Sequence, residues 1–448
     1  MKLFRLFGMV AFSGLLMTGF ASCGSDEPGN DEGDNPVVEP GQVDETVNRQ
    51  LTSAEAGNYL DETATKISEM FDPADQKEVI DVFQNFVDRY GYYEFDEDYF
   101  NFETGGRSML AEMAKSFVIG LSTGDPGSLS RAANTFVTRY EISFDKLKGV
   151  YTPDTRNQVW KRDPSGNDIV FRFGTTEFKV QVSGGNWDIE FADSYDDWWD
   201  DATYVEEYKV TVPKNIVMTV TESGKELVKS VVETNLDVNG RNFHVKTSLR
   251  AANITLDALV DGNNNLISES QSMTVGGQRF LTTVTSVNGS HLCDVEYLSE
   301  IFDEDVESAV SKIDNTFGKG VTSVNICDRV QIKAEISKIG TLMAAGSYDS
   351  YTYYNKNAEN DAVKFASSLN NNVKAQMYFG NTSVAQADVQ WQKCYYEYYA
   401  GVGDWYVEPV IVFGDGSRFT FEEYFDESRF ANAENKFLSL VYLYESLW

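Results

Sequence analysis

The stretch VVETNLDVNGRNFHVKTSL, residues 231–249, decides the fold, because apolar and polar residues alternate on both sides of one turn signal. Before the turn, every second position from Val232 to Val238 is apolar or threonine, and the residues between them are Glu, Asn and Asp. Asn239-Gly240 is a dipeptide that strongly favours a two-residue hairpin turn. The alternation resumes from Phe243 to Leu249. A period of two predicts a pair of antiparallel strands with one covered face.

The same pattern extends from about residue 167 to residue 298. Further turn signals stand at DGNNN (261–265), Gly276-Gly277 and Asn288-Gly289, a spacing that is typical of a meander of hairpins. The apolar phase changes from odd to even positions across residues 251–253, which requires a bulge or a tight turn. We therefore predict one large, twisted antiparallel sheet.

Helical patterns precede this sheet. Residues 52–90 predict two amphipathic helices: Thr52 and Glu55 have capping-box spacing, Pro73 suits the first position of the second helix, and Gly91 suits its end. Two more helical stretches are predicted at 107–121 and 128–140, separated by the breaker STGDPG. The first hundred residues of the folded part are thus predicted to be mostly helical.

A second series of helices and strands follows the meander. An amphipathic helix is predicted at 299–318, strands around 321–337, 373–391 and 405–422, and a last helix at 432–448. The predicted fold class is α+β, with N-terminal helices, an antiparallel meander and a second helix-plus-strand unit. The predicted divisions are a signal peptide (1–22), Cys23 with an acidic tether (23–48), a helical region (49–150), an antiparallel sheet region (151–298) and a second α+β region (299–448).

Three short echoes in the same order suggest an internal duplication, with separate helix-strand units as the alternative. They are SEMFD (68–72) with SEIFD (299–303), FRFGTT (171–176) with MYFGNT (377–382), and GNWDIE (185–190) with GDWYVE (403–408). Duplication predicts that Trp187 and Trp405 are buried at equivalent places, each just after a glycine turn at the start of a strand.

The N-terminus carries an export pattern. Lys2 and Arg5 precede an uncharged apolar stretch of about 15 residues, which is shorter than the roughly 20 that a membrane-spanning helix needs. Ala21 and Ser22 stand just before Cys23, and this segment resembles the lipobox of Gram-negative bacterial lipoproteins. The resemblance covers about the first 23 residues. It implies cleavage before Cys23 and diacylation of its thiol; an ordinary cleaved signal is the alternative.

Acidic residues dominate the stretch after Cys23. Residues 24–48 hold eight acids, three prolines and no Lys or Arg, a composition that favours a mobile tether. Acids directly after the cysteine, here CGSDE, resemble the export signals of surface lipoproteins in some Gram-negative gut anaerobes. The resemblance implies an outer-membrane protein that is lipid-anchored and faces the outside, with the periplasmic face as the alternative.

Charge and cysteine usage exclude several classes of function. The whole chain has a formal net charge of −33, so nucleic acid is not expected as a partner and the membrane is contacted through the lipid anchor alone. The remaining cysteines, Cys293, Cys327 and Cys394, are widely spaced and form no CxxC motif. They are predicted to be buried thiols rather than a disulfide framework or a zinc site.

The first candidate site is the acidic, tryptophan-rich segment 187–204, predicted to form a loop. Its carboxylates could hold Ca²⁺, which prefers oxygen ligands, and its tryptophans could stack on a sugar. A solvated acidic loop is the simpler interpretation. The candidate ligand-binding residues are Asp193, Asp196, Asp197, Trp198 and Trp199, and the candidate calcium ligands are Asp196, Asp197, Asp200 and Asp201. No cofactor is expected to be required.

The second candidate site is the run CYYEYYAGVGDWY, residues 394–406. In a strand, alternate tyrosines share a face, so at least one face could form a stacking platform. Core packing is the alternative for most of the aromatic residues in this region. The candidate ligand-binding residues here are Tyr395, Tyr396, Tyr398 and Tyr399.

Catalysis is not predicted. The chain has no HExxH, GxxxxGK[ST] or GxGxxG motif and only two histidines, His244 and His291. We expect a non-catalytic surface lipoprotein that binds glycans or other extracellular polymers. The alternatives are a carrier of lipids or other hydrophobic ligands in an open half-barrel, suggested by topology alone, and a structural or adhesive protein-interaction module.

Overall fold

The computed structural model describes residues 49–95, 135–197, 202–237, 242–302, 306–380 and 383–424, together with residues 431, 432, 435, 436 and 439. The helices are α1 (Ser53–Met70), α2 (Lys77–Tyr90), α3 (Phe144–Leu147), α4 (Val295–Phe302), α5 (Val306–Thr316), α6 (Ile339–Gly346), α7 (Ala358–Asn372) and α8 (Phe421–Tyr424). The first nine strands are β1 (Glu94–Phe95), β2 (Thr135–Ser143), β3 (Gly149–Asp154), β4 (Val159–Asp163), β5 (Ile169–Phe173), β6 (Thr176–Asp197), β7 (Ala202–Glu222), β8 (Lys225–Leu236) and β9 (Asn242–Ala251). The others are β10 (Ile254–Asn263), β11 (Leu266–Val275), β12 (Gln278–Gly289), β13 (Phe317–Ile326), β14 (Val330–Ile336), β15 (Val373–Phe379), β16 (Ala387–Tyr399), β17 (Val402–Phe413) and β18 (Arg418–Thr420).

This arrangement is α+β, as the sequence predicts, with helices first and antiparallel strands dominating. The chain divides into two compact units. We call the described residues among 74–238 and 246–252 the hairpin unit, and those among 49–73, 242–245 and 253–439 the meander unit. None of the helices in the described residues is both long and apolar enough to cross a membrane.

The hairpin unit is built around the long antiparallel pair β6 and β7, whose register runs from Thr176↔Glu222 to Asp197↔Ala202. On its other side β7 pairs with β8 in antiparallel and with β2 in parallel fashion. Beyond β6 lie β5, then β3 in parallel pairing, then β4 and the two-residue β1. The unit is therefore a mixed sheet rather than a simple meander.

Helix α2 covers this sheet with one apolar stripe. Val79, Val82 and Phe86 recur at helical spacing and are buried against aromatic side chains of β4, β5 and β6. The ring of Phe86 lies 5.2 Å from those of Phe173 and Phe178. These ring pairs are inclined by 46° and 50°, and such aromatic contacts stabilise a core beyond their buried area. Gly91 ends the helix, as predicted, and its amide bonds to the carbonyl of Val87.

The meander unit is a series of nine antiparallel strands, β10 to β18, each paired with its neighbours in the chain. The predicted turns lie where the sequence places them. Gly276 and Gly277 join β11 to β12 with positive φ angles of 58° and 77°, which glycine adopts without strain. Asn264-Asn265 joins β10 to β11, so DGNNN is a hairpin tip. Strand β9 ends at Ala251 and β10 begins at Ile254, so only two residues form the tight turn that the phase change requires.

Helices α1, α4, α5 and α7 of the meander unit cover the same face of its sheet. Val373, Ala375 and Phe379 of β15 share one face because alternate side chains of a strand do so. Val373 and Ala375 pack with Ala366 and Leu369 of α7, whereas Phe379 stacks on Tyr59 of α1 at 4.7 Å. Helices α4 and α5 cover β11 to β13 through a cluster that includes Ile267, Val287 and Phe317. One face is thus filled with side chains.

Helix α1 begins with the predicted capping box. The Oγ1 of Thr52 accepts the amide of Glu55, and the carboxylate of Glu55 accepts the amide of Thr52 at 2.9 Å. The residues around the start of α1 form hydrogen bonds with side chains more than 300 positions later in the chain. Gln386, which is fully buried, accepts the Leu51 amide and donates to the Arg49 carbonyl. Asp415 accepts the amide of Ser53 at 3.0 Å.

The prediction of a helix at 128–140 was wrong where the structure describes it. Residues 135–143, TFVTRYEIS, form β2, which pairs in parallel with β7 from Thr135↔Thr203 to Ser143↔Thr211. Its threonines, aromatics, valine and isoleucine suit a strand, and pairing with β7 decides between the two structures. The second predicted helix was correct except that residues 73–76 form a 3₁₀ turn before α2. The helix predicted at 107–121 and the turn at Asn239-Gly240 lie outside the described residues.

The expectation for the two echoed tryptophans was also wrong. Trp187 lies in the middle of β6, just after a bulge at Gly184-Gly185, whereas Trp405 lies near the start of β17. The strands are not equivalent, so this echo gives no support to a duplication. Both rings are half-buried rather than part of the core. The ammonium of Lys214 lies 3.9 Å from the centre of the Trp187 ring, and that of Lys393 lies 4.7 Å from the centre of the Trp405 ring.

The echo FRFGTT with MYFGNT is different. Gly174 and Gly380 have φ angles of 59° and 60°, and each follows a buried phenylalanine at the end of a strand. The two segments therefore share a local conformation. Internal duplication stays a prediction that rests on this echo and on SEMFD with SEIFD.

Candidate functional site

The hairpin of β16 and β17 carries the tyrosine run at its free end. Its two strands pair from Ala387↔Phe413 to Tyr399↔Val402, with an irregular register after Glu397. Gly401 forms the turn with a φ of 77°, and its amide bonds to the Glu397 carboxylate at 2.7 Å. A Cβ on Gly403 would lie 2.0 Å from the Tyr396 carbonyl oxygen, so only glycine permits this close approach of the strands.

A loop of the same unit, residues 349–355, adds to the free edge of β17. The Thr352 amide donates to the Gly403 carbonyl and the Trp405 amide donates to the Ser350 carbonyl, each at 3.0 Å. Asp349 holds the loop in shape, because its carboxylate accepts the Tyr351 amide and its carbonyl accepts the Asn355 side chain. Three further tyrosines are thereby placed beside the hairpin.

We call Tyr351, Tyr353, Tyr354, Tyr396, Tyr398 and Tyr399 the tyrosine cluster. Five of its members are exposed, from 55% for Tyr398 to 75% for Tyr354, and Tyr351 is half-buried among them. Tyr351 is the centre, with its ring 5.5 Å from that of Tyr354 and 6.2 Å from that of Tyr398. The rings form one continuous aromatic surface on backbone that is fixed by strand pairing.

Hydroxyl groups and one carboxylate order this surface. The Tyr351 and Tyr399 hydroxyls lie 3.1 Å apart, and the Tyr398 hydroxyl donates to Asp404. Asp404 also accepts the Ser350 hydroxyl at 3.0 Å. The hydrogen bond to Tyr399 raises the pKa of Tyr351 to about 12, and that to Asp404 raises the pKa of Tyr398. Both phenols therefore stay neutral at ordinary pH, and the Tyr398 proton stays in its bond to Asp404.

The opposite face of the hairpin carries Tyr395, which is 36% exposed and stacks on Trp405 at 4.8 Å. The ammonium of Lys393 lies 4.7 Å from the centre of the Trp405 ring and also pairs with Glu359 of α7. This second face is therefore partly used for packing against the helix.

The structure thus places the four tyrosines of the predicted platform at or near the surface and brings three of them together with the loop 349–355. Sequence reasoning missed Tyr351, Tyr353 and Tyr354. The signal was readable as SYTYYNK, three tyrosines within four residues between turn-forming Asp349 and Asn355. What the sequence could not show is that this loop joins the edge of β17.

The acidic candidate site has a different structure from the one predicted. Residues 187–197 are not a loop, because they belong to β6 and pair with β7 up to Asp197↔Ala202. Asp193, Asp196 and Asp197 thus occupy strand positions. Trp198, Trp199, Asp200 and Asp201 lie outside the described residues. In the part of the chain that the structure describes, no group of three or more His, Cys, Asp or Glu side chains could hold a metal ion.

The three cysteines of the folded part are free, but only Cys293 is fully buried, whereas Cys327 and Cys394 are half-buried. Burial raises the pKa of Cys293 to about 11 and that of Cys327 to about 12. Burial and the Glu408 carboxylate, 2.7 Å away, raise the pKa of Cys394 to about 12. These thiols stay protonated and are poor nucleophiles.

A polar groove of about 570 Å³ lies where β15 and β16 separate after only three paired residues. Asn370 takes the place of a strand partner, since its side chain exchanges two hydrogen bonds with the backbone of Trp391. Lys319 and Glu335, which also line the groove, pair with each other at 2.8 Å. These groups satisfy one another, so the groove has no feature that singles out a ligand.

Comparison of the chain with protein-family models, curated proteins and solved structures found no match.

Proposed function

We propose that this protein is a lipid-anchored lipoprotein of the outer membrane, facing the cell exterior, that binds a glycan or another extracellular polymer without catalysis. The observation that carries the proposal is the tyrosine cluster: six adjoining tyrosines, five of them exposed, at the end of the β16–β17 hairpin and on the loop beside it. The export pattern of residues 1–48 supports the location, and the cluster supports the activity.

Exposed tyrosines suit sugar recognition in two ways. A ring offers an apolar face to the C–H groups of a sugar, and its hydroxyl can donate to or accept from the sugar hydroxyls. The cluster is also preorganised before a ligand arrives, because the strand pairs and the bonds of Asp349 fix the backbone and Asp404 fixes the side chains of Ser350 and Tyr398. Less ordering is then needed on binding, which favours affinity.

The lipid-carrier alternative receives less support. A carrier of acyl chains needs an apolar cavity on the concave face of its sheet, yet α1, α4, α5 and α7 fill the covered face of the meander unit with buried side chains. A protein-interaction module could use the same tyrosines, since aromatic residues are enriched at interfaces. We treat this alternative as an outcome of the test.

The test is a glycan panel applied to the mature chain carrying Cys23→Ser, which keeps the protein soluble. We expect binding to at least one glycan and a loss of about tenfold or more in the double variant Tyr354→Leu/Tyr396→Leu, because each exposed ring contributes roughly 1 kcal/mol. Tyr92→Leu is the matched control, since Tyr92 is 90% exposed but belongs to the hairpin unit. Absence of binding to every glycan, or equal losses in the control, would contradict the proposal.

A further inference from the structure

The rings of the tyrosine cluster do not lie in one plane. Tyr353 and Tyr354 meet at 88°, Tyr396 and Tyr398 at 73°, and Tyr351 and Tyr398 at 66°, whereas Tyr351 and Tyr353 meet at 33°. Coplanar rings would suit the flat face of an extended chain of neutral sugars. Steeply inclined rings instead present several electron-rich faces toward a compact group, which is the arrangement that favours an ammonium ion.

Two ammonium groups of the chain itself already use aromatic rings of this region. On the opposite face of the hairpin Lys393 lies 4.7 Å from the centre of the Trp405 ring, and within the cluster Lys356 lies 5.7 Å from the centre of the Tyr353 ring. Both distances are within the range of a cation–π interaction. The local surroundings therefore tolerate a positive charge against the ring faces.

The surrounding charge points the same way. The segments 348–361 and 392–408, which carry the cluster, contain two lysines, Lys356 and Lys393, and no arginine. They contain six acids, Asp349, Glu359, Asp361, Glu397, Asp404 and Glu408, of which Glu359 pairs with Lys393 and Asp361 pairs with Lys364. An acidic surface attracts cations and repels anionic polymers.

We infer that the polymer bound by the tyrosine cluster carries ammonium groups on a carbohydrate backbone, as a deacetylated amino-sugar glycan does. The inference rests on the proposed function and specifies its ligand class. Each ammonium would lie against one or two ring faces, while the sugar hydroxyls bond to the free phenols. Repetition of the amino group along the polymer would add avidity to contacts that are individually weak.

The test compares three probes on the mature Cys23→Ser chain by calorimetry: a glucosamine hexamer, its fully N-acetylated counterpart, and hexalysine. We expect the glucosamine hexamer to bind about tenfold more tightly than the acetylated one, and added salt to weaken it, because exposed charge interactions are screened. Tyr354→Phe should keep most of the affinity and Tyr354→Leu should lose it, because the ring face carries the contact. Tyr92→Leu should behave as the unsubstituted chain.

The outcomes separate the inference from the proposed function. If the acetylated hexamer binds as well as the glucosamine hexamer and salt has no effect, the ammonium inference is wrong while glycan binding stands. If hexalysine binds and neither hexamer does, the partner is a basic protein segment and both statements are overturned. If none of the three binds, the ammonium inference fails, and the wider glycan panel alone decides the proposed function.

Discussion

Arg329 shows at the level of one residue how the meander unit holds its N-terminal helix. Its side chain is only 3% exposed, although guanidinium groups are rarely buried. It donates to Thr63 at 3.1 Å and to Glu62 at 2.9 Å, and its guanidinium lies 4.2 Å from the centre of the Tyr59 ring. Three neighbouring residues of α1 thus bind one side chain from the turn between β13 and β14.

Replacing Arg329 by leucine should lower the free energy of unfolding by about 2 kcal/mol, because buried hydrogen bonds and a desolvated cation–π contact are lost together. The pair with Glu62 adds little, since that carboxylate is 65% exposed. Urea denaturation measures the change. Arg418→Leu is the control: Arg418 is exposed, and its substitution should change stability by less than about 0.5 kcal/mol. Equal losses in the two variants would show that α1 does not depend on Arg329.

At the scale of one element, the N-terminal cap of helix α1 is weakened by acid. Its first turn is closed by Glu55, and the hydrogen bonds from Arg49 and then Thr52 lower the pKa of Glu55 from 4.5 to about 2. A carboxyl group whose pKa is lower in the folded state stabilises the fold above its unfolded pKa, and this contribution is lost as the pH falls through the folded pKa.

Hydrogen exchange at the Thr52 amide, corrected for its intrinsic rate, should therefore lose protection as the pH falls from 4.5 toward 2. Glu55→Gln should remove this pH dependence and keep the cap, because glutamine also serves in a capping box. The amide of Ser53 is the internal comparison, since it bonds to Asp415, whose pKa is also lowered, and should respond to acid in both proteins. Identical Thr52 profiles in the two proteins would argue against the cap.

The elements that the sequence predicted well are those in which a local pattern has one outcome. The capping box of Thr52, the hairpin at Gly276-Gly277 and the alternation of β10 to β12 require no distant partner. The prediction failed where a partner decides the structure. The local pattern of β2 predicts a helix, but pairing with β7, across more than sixty residues of chain, makes it a strand. The polar composition of residues 187–197 predicts a loop, but these residues pair with β7 as part of β6.

For the candidate site, the sequence predicted the hairpin tyrosines but not their companions. Alternation in a strand places Tyr396 and Tyr398 on one face, and this follows from the run itself. Joining Tyr351 to them depends on backbone bonds between residues about fifty positions apart, such as that from Thr352 to Gly403. No local pattern encodes such a bond.

At the scale of the whole molecule, the proposed anchor gives a direct prediction. Cells fed a labelled fatty acid should incorporate it into the protein, and Cys23→Ala should abolish the label and release the chain from the membrane fraction, because the thiol is the proposed acylation point. Cys394→Ala is the matched control and should leave the label unchanged. Label retained in the Cys23 variant would contradict lipidation, and a folded part that survives protease treatment of intact cells would contradict surface exposure.

The bonds that fasten residues 49–53 to Gln386 and Asp415 have a mechanical consequence. On the proposed placement, tension on a bound polymer enters at the β16–β17 tip and leaves through the stretch before residue 49. Both ends of this route belong to the meander unit, and β16 itself lies only one residue from Gln386. Force would therefore pass through the few hydrogen bonds that join residues 49–53 to Gln386 and Asp415, close to the β16–β17 hairpin. The hairpin unit built on β6 and β7 lies outside this route along the chain, so its unfolding would not release the bound polymer.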